Sequence, residues 1–300
     1  MKLSAEKITL EELLDAGVHF GHQKRRWHPQ MAPYIYMEEK GVHIFDLAQT
    51  RDCLVAAAKL LYQTAKDEGA IIFVGTKRQA KKIVRGEAER CGAMYITERW
   101  LGGLLTNFDH VKINMERLND LSGKREKGEF QHYTKKERLE IDRKIAKLEK
   151  TVGGIRNLKK PPAAVVLASA RREQTAVHET VREEIPLVAI VDTNADPRPV
   201  DYPIPGNDDA RKSLALIFKV LADAVAGGYG KGEVKEVTEP RSVTIDTLGL
   251  STRSLNALKK AGVTSVEKLK AMSEEELKAL KGLGAKSVEE IIGKIRNSKS

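Results

Sequence analysis

What most constrains this chain is a rhythm of short, continuously apolar runs separated by helix-length amphipathic segments. Ala70–Val74 reads AIIFV, Ala163–Ala168 reads AAVVLA and Leu187–Val191 reads LVAIV. Unbroken apolar runs of this length suit strands buried on both faces. Between them, Thr50–Asp67 carries apolar residues at 54, 55, 58, 61, 62 and 65, one face of a helix. Lys77–Cys91 and Arg172–Glu184 also read as helices, Ala93–Thr97 as a short strand, and Asp208–Ala226 as a long closing helix. Alternation of strand and helix implies a parallel sheet with helices on both faces.

Four segments stand outside the rhythm. Thr9–Ala16 reads as a short helix whose Thr9 and Glu12 have capping-box spacing. YIYM and VHIF, separated by Glu38–Gly41, suggest a β hairpin or an irregular β pair. In 107–153, Phe108, Val111, Met115, Leu118 and Leu121 form one apolar seam. Ile141, Ile145, Leu148 and Val152 form another. Two such seams joined by a polar turn predict an antiparallel coiled-coil hairpin, and its charged outer faces suggest that it projects from the sheet domain. GGYGKGEVKEVTEP, residues 227–240, has linker composition, which leaves 1–226 as the α/β domain and 241–300 as a separate small helical domain.

Charge narrows the function. The net charge is +10, and residues 241–300 alone hold 12 Lys/Arg against 7 Asp/Glu. A protein this basic is expected to meet a polyanion. Cys53 and Cys91 form no CxxC pair, so neither a disulfide framework nor a zinc ribbon is expected. The N-terminus has no apolar signal core, and the longest apolar run, Ala163–Ala170, is too short to cross a bilayer. A soluble, intracellular protein with no membrane partner is the expectation.

The basic stretch FGHQKRRWHPQM, with His19 just before it, contains His22 and His28. Zinc favours His pairs at i, i+4 with further ligands nearby, whereas Gly21 and Pro29 interrupt any helix here. No acid lies between Asp15 and Glu38, and Lys24, Arg25, Arg26 and Trp27 are consecutive. Guanidinium forks suit phosphate and an indole suits a base, so the stretch reads as an RNA-facing loop. Trp27 either joins that contact or anchors the loop to the fold. After strand AIIFV, Gly75-Thr76-Lys77-Arg78 resembles an anion-binding helix start, yet GxxxxGK[ST] is absent. Arg99 and Trp100 repeat the cation–aromatic pairing before Gly102-Gly103, and Thr106 or Asn107 can cap the next helix. VDTNADP reads as a side-chain-stabilised turn rather than a Mg²⁺ cluster. PGNDDA reads as a helix start capped by Asn207 or Asp208.

Taken in order, FGHQKRRWHPQM, GVHIFDLAQT, FVGTKRQA, RWLGGLLTN, LEKTVGGI, IPLVAIVDTNADP and IPGNDDA resemble the bacterial small-subunit ribosomal protein S-two family across residues 8–226. The resemblance implies a flavodoxin-like parallel sheet with a protruding coiled-coil hairpin. It implies a non-catalytic role in translation, binding small-subunit rRNA at the head–body junction of a cytoplasmic ribosome. It also implies contact with neighbouring ribosomal proteins and help in docking ribosomal protein S-one. Carried onto this sequence, the RNA contacts are His22, Lys24, Arg25, Arg26, Trp27, Lys77, Arg78, Arg99 and Trp100. No cofactor and no metal site are expected. LASARREQTAVHET matches a family segment through Glu173, Ala176 and Glu179, but Ser169 stands where the family commonly has aspartate.

Residues 244–296 resemble the C-terminal domain of the bacterial RNA polymerase alpha subunit. LKGLG, residues 280–284, reads as a helix–hairpin–helix turn whose glycines let backbone N–H groups approach phosphate. The resemblance places contacts to nucleic acid, mRNA or DNA, or to a protein partner, at Arg253, Asn256, Gly284, Lys286 and Ser287. Ala285 and Gly282 depart from the usual lysine and asparagine of that turn. Two alternatives follow: a transcription-linked DNA binder led by this tail, and a phosphate-handling enzyme using Gly75–Lys77 and Asp192 on a doubly wound sheet.

Overall fold

The computed structural model describes residues 4–230. Helix α1 (Leu10–Asp15) opens on the expected capping box: Thr9 accepts from the Glu12 N–H, and the Glu12 carboxylate accepts from the Thr9 N–H at 2.9 Å. Strands β1 (Phe20–Gln23), β2 (Ile35–Glu39) and β3 (Val42–Phe45) form a small antiparallel sheet in the order β1-β3-β2. Lys40 and Gly41, both at positive φ, close the β2–β3 hairpin. β1 corrects the expectation that the basic stretch is loop from its start.

The main sheet follows. Helix α2 (Leu47–Lys66) leads into β4 (Ile71–Val74), α3 (Lys81–Cys91) and β5 (Met94–Ile96). Helices α4 (Phe108–Glu126) and α5 (Lys135–Val152) come next. Then β6 (Ala164–Leu167), α6 (Gln174–Arg182), β7 (Leu187–Val191), β8 (Tyr202–Pro205) and α7 (Arg211–Gly228) complete the described residues. The five strands β4–β8 are all parallel, in the order β5-β4-β6-β7-β8, the flavodoxin-like arrangement.

Period-two alternation sends neighbouring strand residues to opposite faces. Phe73, Val166, Val188 and Ile190 join one core with α2, α3 and α7, where Phe73 meets Phe218 edge-on at 5.5 Å. Ile72, Val74, Val165, Leu167 and Ala189 join the other with Phe45, α6 and the bases of α4 and α5. Both faces are covered, which is why β4, β6 and β7 are apolar without interruption. The seams of α4 and α5 face this second core: Val111, Met115, Leu118, Ile145 and Val152 are buried, and Phe108, Leu121, Ile141 and Leu148 pack against them.

Several boundaries differ from expectation. α3 starts at Lys81, four residues after Lys77, so no helix begins directly after Gly75. A Cβ at Gly75 would lie 2.6 Å from Val84 Cγ2, so this glycine serves close packing of α3 onto β4. α7 runs through Gly227 and Gly228, and the Tyr229 hydroxyl donates to the Gly69 carbonyl at 2.8 Å, so the folded unit extends into the segment expected to be linker. Asn107 stands at the start of α4 without a side-chain cap bond, and Thr106 does not cap it. Among the described residues, no helix is long and apolar enough to cross a membrane. The tail candidates Arg253, Asn256, Gly284, Lys286 and Ser287, and the helix–hairpin–helix reading, lie outside the described residues.

Candidate nucleic-acid interface

In a parallel sheet every strand delivers its following loop to the same edge. Gly75–Arg78 follows β4, Thr97–Gly103 follows β5, Asp192–Asp196 follows β7 and Gly206–Asp209 follows β8. The basic stretch joins that edge through β1. The Thr193 hydroxyl accepts from the His22 N–H at 2.8 Å, and the Thr193 carbonyl accepts from the His28 N–H at 2.7 Å. The Asn207 N–H donates to the Val18 carbonyl. Gly21 permits this approach: a Cβ there would stand 2.5 Å from the Thr193 methyl and 3.0 Å from the His43 carbonyl.

At the centre lies a network of charged groups. His22 Nδ1 is 2.9 Å from Asp192 Oδ1, and His22 Nε2 is 3.4 Å from Asp209 Oδ2. The hydrogen bond to Asp192 raises the imidazole above its ordinary pKa despite burial, with Asp208 and Asp209 adding to it. Lys77 Nζ sits 2.6 Å from Asp208 Oδ1 and 2.9 Å from Asp209 Oδ1. Burial opposes the charge on Lys77, but these carboxylates outweigh it and its pKa is raised. Burial and the neighbouring Asp192 push the Asp208 carboxyl up, against Lys77 and the Ser169 hydroxyl that donates to it. VDTNADP forms the expected turn, with Asp192 accepting from the Thr193 N–H. Neither Asn207 nor Asp208 caps α7 as expected: the N-cap is Ala210, without a side-chain cap bond, and Asn207 instead shapes the turn before it, accepting from the Asp209 and Ala210 N–H groups at 2.9 Å each.

The Gly75–Arg78 turn is not an open anion cradle. The Thr76 N–H and hydroxyl both donate to Glu173 Oε1, at 3.0 and 2.6 Å, so the protein's own carboxylate occupies that position. Glu179 does the same for the next loop. It is buried and accepts from Trp100 Nε1 at 3.2 Å, the Gly103 N–H at 2.8 Å and the Leu105 N–H at 3.1 Å. Gly103 turns at φ +85° to make this possible.

The nine candidate residues therefore divide. Lys24, Arg25, Arg26, Arg78 and Arg99 are exposed. Lys24 pairs with Glu38 at 2.7 Å, and Arg25 Nε donates to Gln23. Among the described residues no carboxylate pairs with Arg25, Arg26, Arg78 or Arg99. Lys77 and His22 are instead engaged within the network. Trp100 is 5% exposed and packs in the second core, which leaves its ring no open face for a base. Trp27 is 37% exposed and meets His43 edge-on at 5.1 Å, so it both anchors the loop and presents a ring to solvent. The three histidines do not converge: His28 Nδ1 accepts from the Gln30 N–H, and His19 Nδ1 is buried apart from polar partners. Glu173 and Glu179, which hold two of the loops, were not assigned that role from sequence; their only signal was membership of the family segment.

Similarity to known proteins sets the family. The family model for ribosomal protein S2 matches residues 13–228. The protein belongs to the ribosomal protein S2 family. It is 48% identical over 225 residues to small ribosomal subunit protein uS2 of Picosynechococcus sp., covering 75% of this sequence and 88% of that protein. It is 49% identical over 222 residues to small ribosomal subunit protein uS2c of Rhodomonas salina, covering 74% and 91%. With uS2c of Cyanophora paradoxa the identity is 47% over 221 residues, covering 74% and 95%. A second model, for the C-terminal domain of the alpha subunit of bacterial RNA polymerase, matches residues 231–297. Membership of the S2 family makes this a structural protein of the small ribosomal subunit and not an enzyme. The occupied turn at Thr76 accords with that role.

Proposed function

We propose that the basic rim at the carboxyl edge of the sheet grips small-subunit rRNA at the junction of head and body. The observation that carries this reading is the gathering at one sheet edge of Arg25 and Arg26, on a short 3-10 turn after β1, with Arg78 and Arg99 in the loops after β4 and β5, all exposed and, among the described residues, without carboxylate partners. Each cation that meets a phosphate releases condensed counterions, so affinity falls steeply with salt. The rigid loop supports hold the cations at fixed spacing, which lets the rim read the shape of folded RNA. Trp27 adds a partly open ring, while Lys77 and His22 act by holding the rim together. In this reading α4 and α5 form a coiled-coil hairpin that reaches along the RNA.

The test is Arg25→Ala/Arg26→Ala in binding to small subunits stripped of this protein, across a salt series. The slope of log affinity against log salt should fall by about 1 for each phosphate interaction removed. An unchanged slope and unchanged incorporation would sink the reading.

The same proposal covers neighbours. Leu10, Leu14 and Phe20 are 42%, 52% and 49% exposed, an apolar surface suited to a protein partner such as ribosomal protein S-one. We assign the assembly to the cytoplasm. The tail would add an mRNA or DNA contact through Arg253, Asn256, Gly284, Lys286 and Ser287, supported by its match to the polymerase domain. A protein truncated after Thr238 should still co-sediment with small subunits; loss of co-sedimentation would move ribosome binding to the tail.

A further inference from the structure

The turn joining α4 to α5 carries a feature that neither the sheet nor the rim uses. Phe130, His132 and Tyr133 fall within four residues of a sequence that is only 5% aromatic. Their rings meet: Phe130 and Tyr133 are edge-to-face at 5.6 Å, and His132 lies tilted against Tyr133 at 4.8 Å. His132 is exposed and Tyr133 is 40% exposed. Apolar surface at such a turn has no packing role in the sheet cores.

The turn is ordered by its own bonds. Thr134 and Glu137 form a reciprocal capping box, with the Thr134 N–H donating to Glu137 at 2.9 Å. The Tyr133 N–H donates to the Phe130 carbonyl, and Gly128 takes φ +73°. A shallow cleft of about 270 Å³ lies beside it, with Phe130 in its wall and Arg125 and Arg138 on its rim.

Charge identifies the occupant. Residues 124–138 contain six Lys/Arg against three Glu, and Glu137 is committed to the cap. Lys124 pairs with Asp120, and Arg125 is 3.5 Å from Asp142. Among the described residues no carboxylate pairs with Lys127, Lys135, Lys136 or Arg138. Exposed rings, tilted or edge-on to one another, in a segment rich in cations that lack carboxylate partners among the described residues form a combination suited to an unpaired nucleotide: the base lies on an open ring face and its phosphates meet the cations. The excess of cations over carboxylates favours a polyanion over a protein partner.

We propose that this turn is a second RNA-binding site, which takes an unpaired rRNA nucleotide on the Tyr133–His132 face, with Lys127, Lys135, Lys136 and Arg138 receiving its flanking phosphates. The inference rests on the rRNA reading of the protein but not on the rim residues.

The full-length protein is titrated against small subunits stripped of it, over a salt series, with helix content checked by circular dichroism. His132→Ala/Tyr133→Ala should weaken binding by about tenfold without changing the salt slope, because stacking carries no counterions. Tyr133→Phe, which keeps the ring, should bind as the native protein does. Lys135→Ala/Lys136→Ala should lower the slope by about 1.4, at about 0.7 for each single-strand phosphate. Native affinity in both double variants, while Arg25→Ala/Arg26→Ala weakens binding, overturns the turn site and leaves the rim reading standing. A loss in His132→Ala/Tyr133→Ala that Tyr133→Phe shares also overturns it, because the ring face would not be the binding element. If none of these variants, including Arg25→Ala/Arg26→Ala, alters binding, both the turn site and the rim reading fall.

Discussion

Glu179 gives the sharpest test of how the rim is built. Its carboxylate is 8% exposed and accepts three hydrogen bonds. Two of the donors, the Trp100 indole and the Leu105 N–H, belong to residues 5% and 4% exposed, so water cannot readily replace the missing acceptor. Leaving a buried donor unsatisfied costs about 1–3 kcal/mol. The Gly103 N–H is nearer the surface and regains water cheaply. With two such donors, Glu179→Ala should therefore cost about 2–6 kcal/mol. Glu179→Gln should cost less, because its single carbonyl oxygen can still serve Trp100 and Gly103. Its amide N–H would then face the Leu105 N–H, so the variant remains weaker than native. Urea unfolding read by Trp100 fluorescence, in a Trp27→Phe background, measures both from the shift in midpoint at constant slope. Subunit binding should weaken alongside, since Arg99 rides on the loop that Glu179 shapes. If Glu179→Ala unfolds within about 0.5 kcal/mol of native, the carboxylate is not what holds the loop, and the reasoning fails.

Two further perturbations probe the seat of the basic stretch. Gly21→Ala forces a methyl to 2.5 Å from the Thr193 side chain, which should cost about 1–3 kcal/mol and lower subunit affinity; a midpoint equal to native would show that β1 can shift without consequence. The His22 latch should be pH dependent. Its pKa is raised in the folded state, so its stabilisation is complete below the unfolded value of about 6.5 and is lost as pH rises through the folded value. The stability gap between native and His22→Gln should therefore narrow as pH rises above the unfolded value of about 6.5; a constant gap would mean that the Asp192 interaction owes nothing to the imidazolium charge.

The parts of this fold that sequence made legible are those whose cause is local or periodic. β4, β6 and β7 announce themselves because both their faces are buried. The α4 and α5 seams do so because one helical face repeats, and Thr9 and Glu12 because a capping box spans four residues. β8 was missed because Tyr202–Pro205 contains two prolines, which argue against a strand. It is tolerated because β8 is an edge strand, with only β7 to satisfy. β1 was missed because FGHQ has little alternation and its seat is held by contacts far along the sequence, to Thr193 from His22 and to Asn207 from Gly17 and Val18 just before the strand. The rim cations were visible as composition, but their neutralisation was not. Lys77 meets Asp208 and Asp209 across 131 and 132 positions, and Thr76 meets Glu173 across 97. No window of sequence contains both halves of such a pair.

Under the proposed reading, these long-range pairs also bear on how a sheet of this topology would serve as a scaffold for RNA. A doubly wound sheet ordinarily receives small ligands in the crevice at the strands' carboxyl ends. Here the protein's own side chains occupy the anion position after β4, and an open cleft of about 360 Å³ lies beside it between His22, Arg26, Asp192 and Asp209. Glu173 takes the Thr76 donors, while Lys77 and the Ser169 hydroxyl both meet Asp208. Ser169 matters in this arrangement. The aspartate that the family resemblance implies at 169 would bring a second carboxylate against Asp208, beside Asp192. The serine donates a hydrogen bond there instead, so Lys77 and His22 are left to balance Asp192, Asp208 and Asp209. Within the crevice these two cations face three carboxylates, and the exposed positive charge at this edge is carried outward by Arg25, Arg26, Arg78 and Arg99. Cations spread over separate loops, rather than converging on one pocket, match a partner whose phosphates are themselves spread over a folded surface.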